Sequence, residues 1–95
     1  MQELIIPPEA EKDPESFEIL RVWGANGQQH VIINPNLWDD PATYGIMLAD
    51  LAHHISRFFE SENGFAREET AKVILESFTN ELNDPNTDFE GEIAD

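Results

Sequence analysis

The sequence predicts an α+β fold: a β-hairpin packed on an antiparallel two-helix pair, which a short N-terminal edge strand could extend. Three observations carry this. Residues 17–34 hold two β-rich runs around Asn26-Gly27, a long helix is signalled between Asp40 and Gly64, and a second helical pattern follows from about Ala66 to Leu82. With 95 residues the chain has room for one domain and one modest core.

Phe17-Glu-Ile-Leu-Arg-Val-Trp23 and Gln29-His-Val-Ile-Ile-Asn34 are rich in β-branched and aromatic residues. Asn26-Gly27 between them suits a two-residue type I′ turn, whose central positions both need positive φ. That turn predicts Trp23 opposite His30, Val22 opposite Val31, Arg21 opposite Ile32 and Leu20 opposite Ile33. One face is then aliphatic (Leu20, Val22, Val31, Ile33) and reads as the core face. The other carries Phe17, Ile19, Arg21, Trp23, His30 and Ile32, too apolar for open solvent. Two strands alone are marginal, so this second face calls for a cover.

Asp40 is placed to cap the long helix, with Pro41 in its first turn, where a missing N–H costs nothing. Tyr44, Leu48, Leu51, Ile55 and Phe58 recur at helical spacing, flanked by Met47 and Phe59. Beside them runs a stripe of small residues: Gly45, Ala49, Ala52 and Ser56. Two stripes imply two neighbours, for which the hairpin and the next helix are the candidates. Asn63-Gly64 supplies the left-handed stop. The second helix carries Ala71, Ile74, Leu75, Phe78 and Leu82 on one face and ends before Asp84-Pro85, and Glu68 with Lys72 makes an i,i+4 pair.

The ends read differently. Leu4-Ile5-Ile6 is a short apolar run stopped by Pro7-Pro8, which bars a helix and favours extended chain. Residues 1–16 are thus expected as a mobile N-terminal segment, 17–83 as a single α+β domain and 84–95 as an acidic C-terminal tail. The net charge of −15 is concentrated at these ends. It opposes binding to nucleic acid and to anionic membrane surfaces. There is no Cys, hence no disulfide framework, thiol nucleophile or cysteine-ligated zinc. Neither a signal peptide nor a membrane-spanning run is visible, and a cytoplasmic protein is the expectation.

Candidate chemistry is sparse. Asp50, His53, Arg57 and Glu60 share a polar face of the long helix, with His54 at its border. Asp50, His53 and His54 are the alternative to an interaction role, as ligands of a metal-binding protein or metal-dependent enzyme. The spacing argues against them: adjacent histidines diverge by about 100° on a helix, and no His-Glu-x-x-His is present. His30 opposite Trp23 reads as a cross-strand packing pair rather than a catalytic base, because no Ser stands in a recognisable triad context. Alternating oxygen donors from Asp84 to Glu92 imitate a calcium loop, but Phe89 stands where Gly is required. Gly24-Ala-Asn-Gly27 leads into a strand and lacks the Lys-Ser/Thr of a phosphate loop.

What remains is surface. Ile19, Arg21, Trp23, His30 and Ile32, with Trp38 in the loop entering the helix, form the candidate partner-binding set, since Trp and Arg are common interface anchors. Three covers are open to that face: the chain's own Leu4-Ile5-Ile6 or Trp38, a second copy, or a foreign protein. The expected role is a non-enzymatic protein-interaction or accessory domain without a cofactor, acting on a protein partner or on itself.

Several runs also carry a resemblance. They are Arg21-Val22-Trp23, Gln29-His30-Val31, Trp38-x-x-Pro41, Tyr44-Gly45-x-x-Leu48-Ala49-Asp50-Leu51-Ala52-x-His54 and Asn83-Asp84-Pro85-x-Thr87-Asp88. Together, over roughly residues 17–88, they resemble an uncharacterised family of short acidic bacterial proteins, a domain of unknown function. These are packing and turn residues. The resemblance implies a compact α+β domain, assigns no activity, and implies that Pro85-x-Thr87-Asp88 is a structured element rather than tail.

Overall fold

In a computed structural model the fold is α+β, and it describes residues 2–85 together with the backbone of Glu92–Ile93. The elements in chain order are α1 (Pro8–Lys12), β1 (Leu20–Ala25), β2 (Gln28–Ile33), α2 (Pro41–Asn63), α3 (Arg67–Leu82) and β3 (Glu92–Ile93). The chain divides into two compact units, one of Met1–Leu37 with Glu90–Asp95 and one of Trp38–Phe89.

The first unit is built on the hairpin. Asn26 (φ 54°) and Gly27 (φ 74°) both adopt the left-handed conformation that a type I′ turn demands. The register follows from that turn: Leu20 faces Ile33, Arg21 faces Ile32, Val22 faces Val31 and Trp23 faces His30. Beyond the open end, the Asn34 N–H donates to the Ile19 carbonyl and its side-chain amide donates to the Glu18 carbonyl, which holds the strands together there.

Three expectations for this unit change. The strand that extends the hairpin is not Leu4-Ile5-Ile6, which forms no strand, but β3, paired parallel to β2 at Ile32 and Ile33. Pro7-Pro8 does not bar a helix: Pro8 sits at the first position of α1, where its fixed φ is already helical and no N–H is needed. The aliphatic hairpin face is only partly enclosed, with Leu20, Val31 and Ile33 half-buried and Val22 51% exposed. Of the tail expected over 84–95, all but Asp84, Pro85 and the β3 backbone lies outside the described residues.

The second unit is a helical hairpin. Asp40 caps α2, its carboxylate accepting from the Ala42 N–H at 2.9 Å with Pro41 in the first turn; an Asp→Ala change at such a cap typically costs about 1 kcal/mol. Gly64, at φ 71°, ends the helix and donates its N–H to the Glu60 carbonyl. Phe65 then stacks on Phe59, with ring centroids 6.0 Å apart, the apolar contact that accompanies this kind of stop. Only three residues, Gly64 to Ala66, separate α2 from α3, so α3 must run back antiparallel along α2. Arg67 reaches Glu60 across that connection at 3.5 Å.

The contact of the two helices uses the Ala52–Ser56 end of the small-residue stripe of α2, while Gly45 and Ala49 stay exposed. Ser56 is fully buried and Ala52 half-buried, and on α3 the half-buried positions are Thr70, Ala71 and Ile74. Ser56 donates its hydroxyl to the Ala52 carbonyl at 2.8 Å, so it enters the contact with its polar group satisfied within the helix. Small side chains here let the backbones approach. Among the described residues Ser56 is the one fully buried side chain, and no large apolar residue is buried.

Candidate functional site

The candidate site forms on the second hairpin face because the strand period is two and the turn fixes the register. Arg21 lies beside Ile32 and Trp23 beside His30, as that register requires. Trp23, His30 and Ile19 are half-buried, while Ile32 remains 46% exposed. His30 Nε2 lies 3.2 Å from the Ala25 carbonyl, to which it donates when the proton sits on that nitrogen. This bond ties the imidazole back to the turn and supports its reading as a cross-strand packing residue.

Arg21 is a different kind of residue from the one expected. Its Nε donates to Glu18 and its Nη1 to Glu3, both at 2.7 Å. The hydrogen bond and charge of Glu18, and after them those of Glu3, raise the guanidinium pKa above its ordinary value. Raising it adds stability that is complete at neutral pH and lost only under strongly alkaline conditions, so the site's physiological behaviour does not turn on it. Pairs this exposed contribute little to stability. Their effect is positional: Glu3 is 18 residues from Arg21, and the bond holds the N-terminal segment beside the hairpin.

The apolar run of that segment nevertheless does not close the face. Leu4 and Ile5 are 93% and 86% exposed, so their side chains do not close over Trp23 and Ile32. Trp38 belongs to the other unit, where it packs edge-on against Tyr44 with centroids 5.0 Å apart. The structure thus brings Ile19, Arg21, Trp23, His30 and Ile32 together on the hairpin and assigns Trp38 to the start of α2.

The alternative set on α2 gains no support. Asp50, His53 and His54 are all exposed, and among the described residues no three His, Asp or Glu side chains converge as a ligand group. Among the described residues Glu68 and Lys72 form no ion pair, and Arg67 pairs with Glu60 at 3.5 Å. Among the described residues no helix is long and apolar enough to cross a membrane.

Sequence reasoning missed the two carboxylates on Arg21 and the role of Phe65. For Phe65 a signal existed, an apolar residue directly after a helix-ending Gly. Glu18, three residues before Arg21, carried only the weak signal of opposite charge. Nothing local pointed to Glu3.

Comparison with known proteins adds the following. A solved structure described as a "putative pyruvate dehydrogenase" from the photosynthetic bacterium Rhodopseudomonas palustrus CGA009 is similar over all of this chain and 97% of its own. The two share 25% identity, with a TM-score of 0.76. No curated protein matches the chain. A family profile matches residues 3–86, and on that match the chain belongs to the family described as Domain of unknown function (DUF5076).

Proposed function

We propose that this chain is a small cytoplasmic protein-interaction or accessory domain, and that a partner protein seats on the hairpin face around Ile19, Trp23, His30 and Ile32. The observation that carries the reading is that face itself: an aromatic and aliphatic patch set by a firm register, with the neighbouring Leu4 and Ile5 side chains turned to solvent. Its one cation, Arg21, is already engaged by two carboxylates. Recognition therefore rests on Trp23 and its apolar neighbours rather than on charge, and Trp is the side chain most enriched among interface anchors. The acidic ends keep the molecule off phosphate backbones and so favour protein over nucleic acid as the partner.

The described residues offer packing and turn positions where an enzyme would need a nucleophile, a base and an orienting group in register.

The test compares immobilised wild type with Trp23→Asp on extracts of the source cell, followed by titration of the purified captured protein. Trp23→Asp is expected to keep its helical circular dichroism and to lose at least tenfold in affinity for that protein, as removal of an interface anchor requires. Raising salt should change wild-type binding little, because the contact is apolar. A folded Trp23→Asp that binds the same protein equally well sinks the assignment.

A further inference from the structure

Asn-Gly occurs twice in the chain, at Asn26-Gly27 in the hairpin turn and at Asn63-Gly64 at the end of α2. Both pairs face solvent, and both glycines have open space where a Cβ would stand. The backbone sets them apart. Asn63 is the last residue of α2, and the Gly64 N–H donates to the Glu60 carbonyl at 3.2 Å. Phe65 stacks on Phe59 directly after it, which holds that connection shut. At the hairpin, among the described residues, neither the Gly27 N–H nor the Asn26 carboxamide has a hydrogen-bond partner.

We infer that Asn26-Gly27 is a site of spontaneous deamidation, where the turn converts to isoaspartate and the hairpin loses the register it sets. The Gly27 nitrogen gives its proton to hydroxide and attacks Cγ of Asn26. The N–Cγ bond forms, the Cγ–Nδ2 bond breaks, and Nδ2 takes a proton from water and leaves as ammonia. Water then opens the five-membered imide. Addition at the Cγ carbonyl gives aspartate, and addition at the main-chain carbonyl gives isoaspartate, with the chain running through Cγ. In sum, one amide and one water give one acid and one ammonia, with no oxidant or reductant. Glycine makes the step accessible, since a Cβ on the following residue would crowd the attacking nitrogen. The other described asparagines are worse placed: Asn34 precedes Pro35, which has no N–H, and Asn36, Asn80 and Asn83 precede Leu37, Glu81 and Asp84.

A type I′ turn fixes both dihedrals of its first central residue, and imide closure needs that residue's ψ to swing. The reaction therefore runs through brief openings of the hairpin end. A two-residue loop closing two strands opens at little cost. Asn63 is freed only by undoing the end of a 23-residue helix together with its stacked phenylalanines. The isoaspartate product cannot return to the same turn, because it puts one additional carbon into the main chain of a two-residue loop. Ala25 and Gln28, the pair that closes the loop, are then no longer held opposite each other. The pairs from Trp23 with His30 to Leu20 with Ile33 lose the constraint that fixed them. Plain aspartate has no such effect, since Asp-Gly suits the same turn. This chemistry needs no partner on the hairpin face, so it stands whether or not Trp23 binds another protein.

The experiment is storage of the full chain in warm, mildly alkaline buffer over days, followed by tryptic peptide mass spectrometry. Trypsin cuts after Arg21, Arg57 and Arg67, so the two Asn-Gly pairs fall on separate peptides, 22–57 and 58–67. Conversion shows as the mass gain of amide to acid, fragment ions place it at Asn26, and an isoaspartyl methyltransferase counts the isoaspartate. The expected result is conversion at Asn26 at least about tenfold faster than at Asn63 in the folded chain, because local opening differs between the two sites. In denaturant, where only the shared Asn-Gly sequence acts, the two rates should be nearly equal. Amide protection over 20–33 should fall as isoaspartate accumulates and be retained in Asn26→Asp. An unconverted Asn26, or equal rates at the two sites in the folded chain, overturns the inference. So does isoaspartate that leaves protection over 20–33 unchanged, or its loss in Asn26→Asp, which would assign the effect to charge.

Discussion

Ser56→Leu is expected to dismantle the contact between α2 and α3 and to lower stability by about 2–3 kcal/mol, near the upper end of overpacking costs. Ser56 is fully buried and sits in the small-residue stripe along which α3 approaches, so three extra carbons have nowhere to go. The helices must move apart or the new side chain must leave its rotamer. In a chain of this size such a loss lowers the melting temperature by roughly 10–20 °C. Ser56→Ala is the control. It removes only a hydroxyl that bonds to Ala52 one turn back, and should shift stability by less than about 1 kcal/mol. Thermal unfolding followed by circular dichroism at 222 nm measures both. Equal melting temperatures for the two variants would place the close approach elsewhere on α2.

The second large effect is expected from Gly27→Val. Gly27 holds φ 74° with open space where a Cβ would stand, so the cost is backbone conformation alone. A β-branched residue in that region costs about 1–3 kcal/mol. Two strands with a two-residue third strand have little stability to lose. The sheet should open, and any re-pairing shifted by one residue would send Trp23 to the opposite face. Gly27→Asn should be far milder, because Asn tolerates this conformation, as Asn26 already shows at φ 54°. Amide exchange over residues 20–33 reads the difference. Unchanged protection in Gly27→Val would mean that the turn does not set the register.

Much of this fold was legible because its signals are local. Asn26-Gly27 specifies a turn and the turn specifies every cross-strand pair, so four pairings could be read from two residues. Asp40, Pro41 and Gly64 mark the ends of α2 by backbone chemistry that needs no tertiary context. The features that escaped reading are non-local. β3 pairs through two residues, too short to leave a period in the sequence. The α1 helix begins at the second proline of a pair, where the same ring that forbids a helix interior suits a helix start. Glu3 meets Arg21 only once the chain has folded back.

The placement of the candidate residues on the hairpin was legible to the same degree: the register put Arg21 beside Ile32 and Trp23 beside His30, and the strands pair that way. The contact of Trp38 with Tyr44 was not legible, since it depends on how the loop folds onto the start of α2. The two stripes of α2 were visible as spacing. Their fates were not, since periodicity shows that a face needs a neighbour without showing which neighbour takes it. Ala52 and Ser56 of the small stripe take α3, Gly45 and Ala49 stay exposed, and the large stripe from Leu48 to Phe58 stays 43–59% exposed.

The most direct test of the account is whether Trp23 is accessible in the purified chain. A Trp38→Phe variant leaves Trp23 as the sole indole, and acrylamide quenching then reports on the hairpin face alone. The expected result is efficient quenching, unchanged between a few micromolar and about a hundredfold more protein, because the proposed occupant of this face is a different protein and not a second copy. Shielding at both concentrations would show the face spent within the chain. Shielding that grows with concentration would show it spent between copies. Either result contradicts a hairpin face held open for a partner.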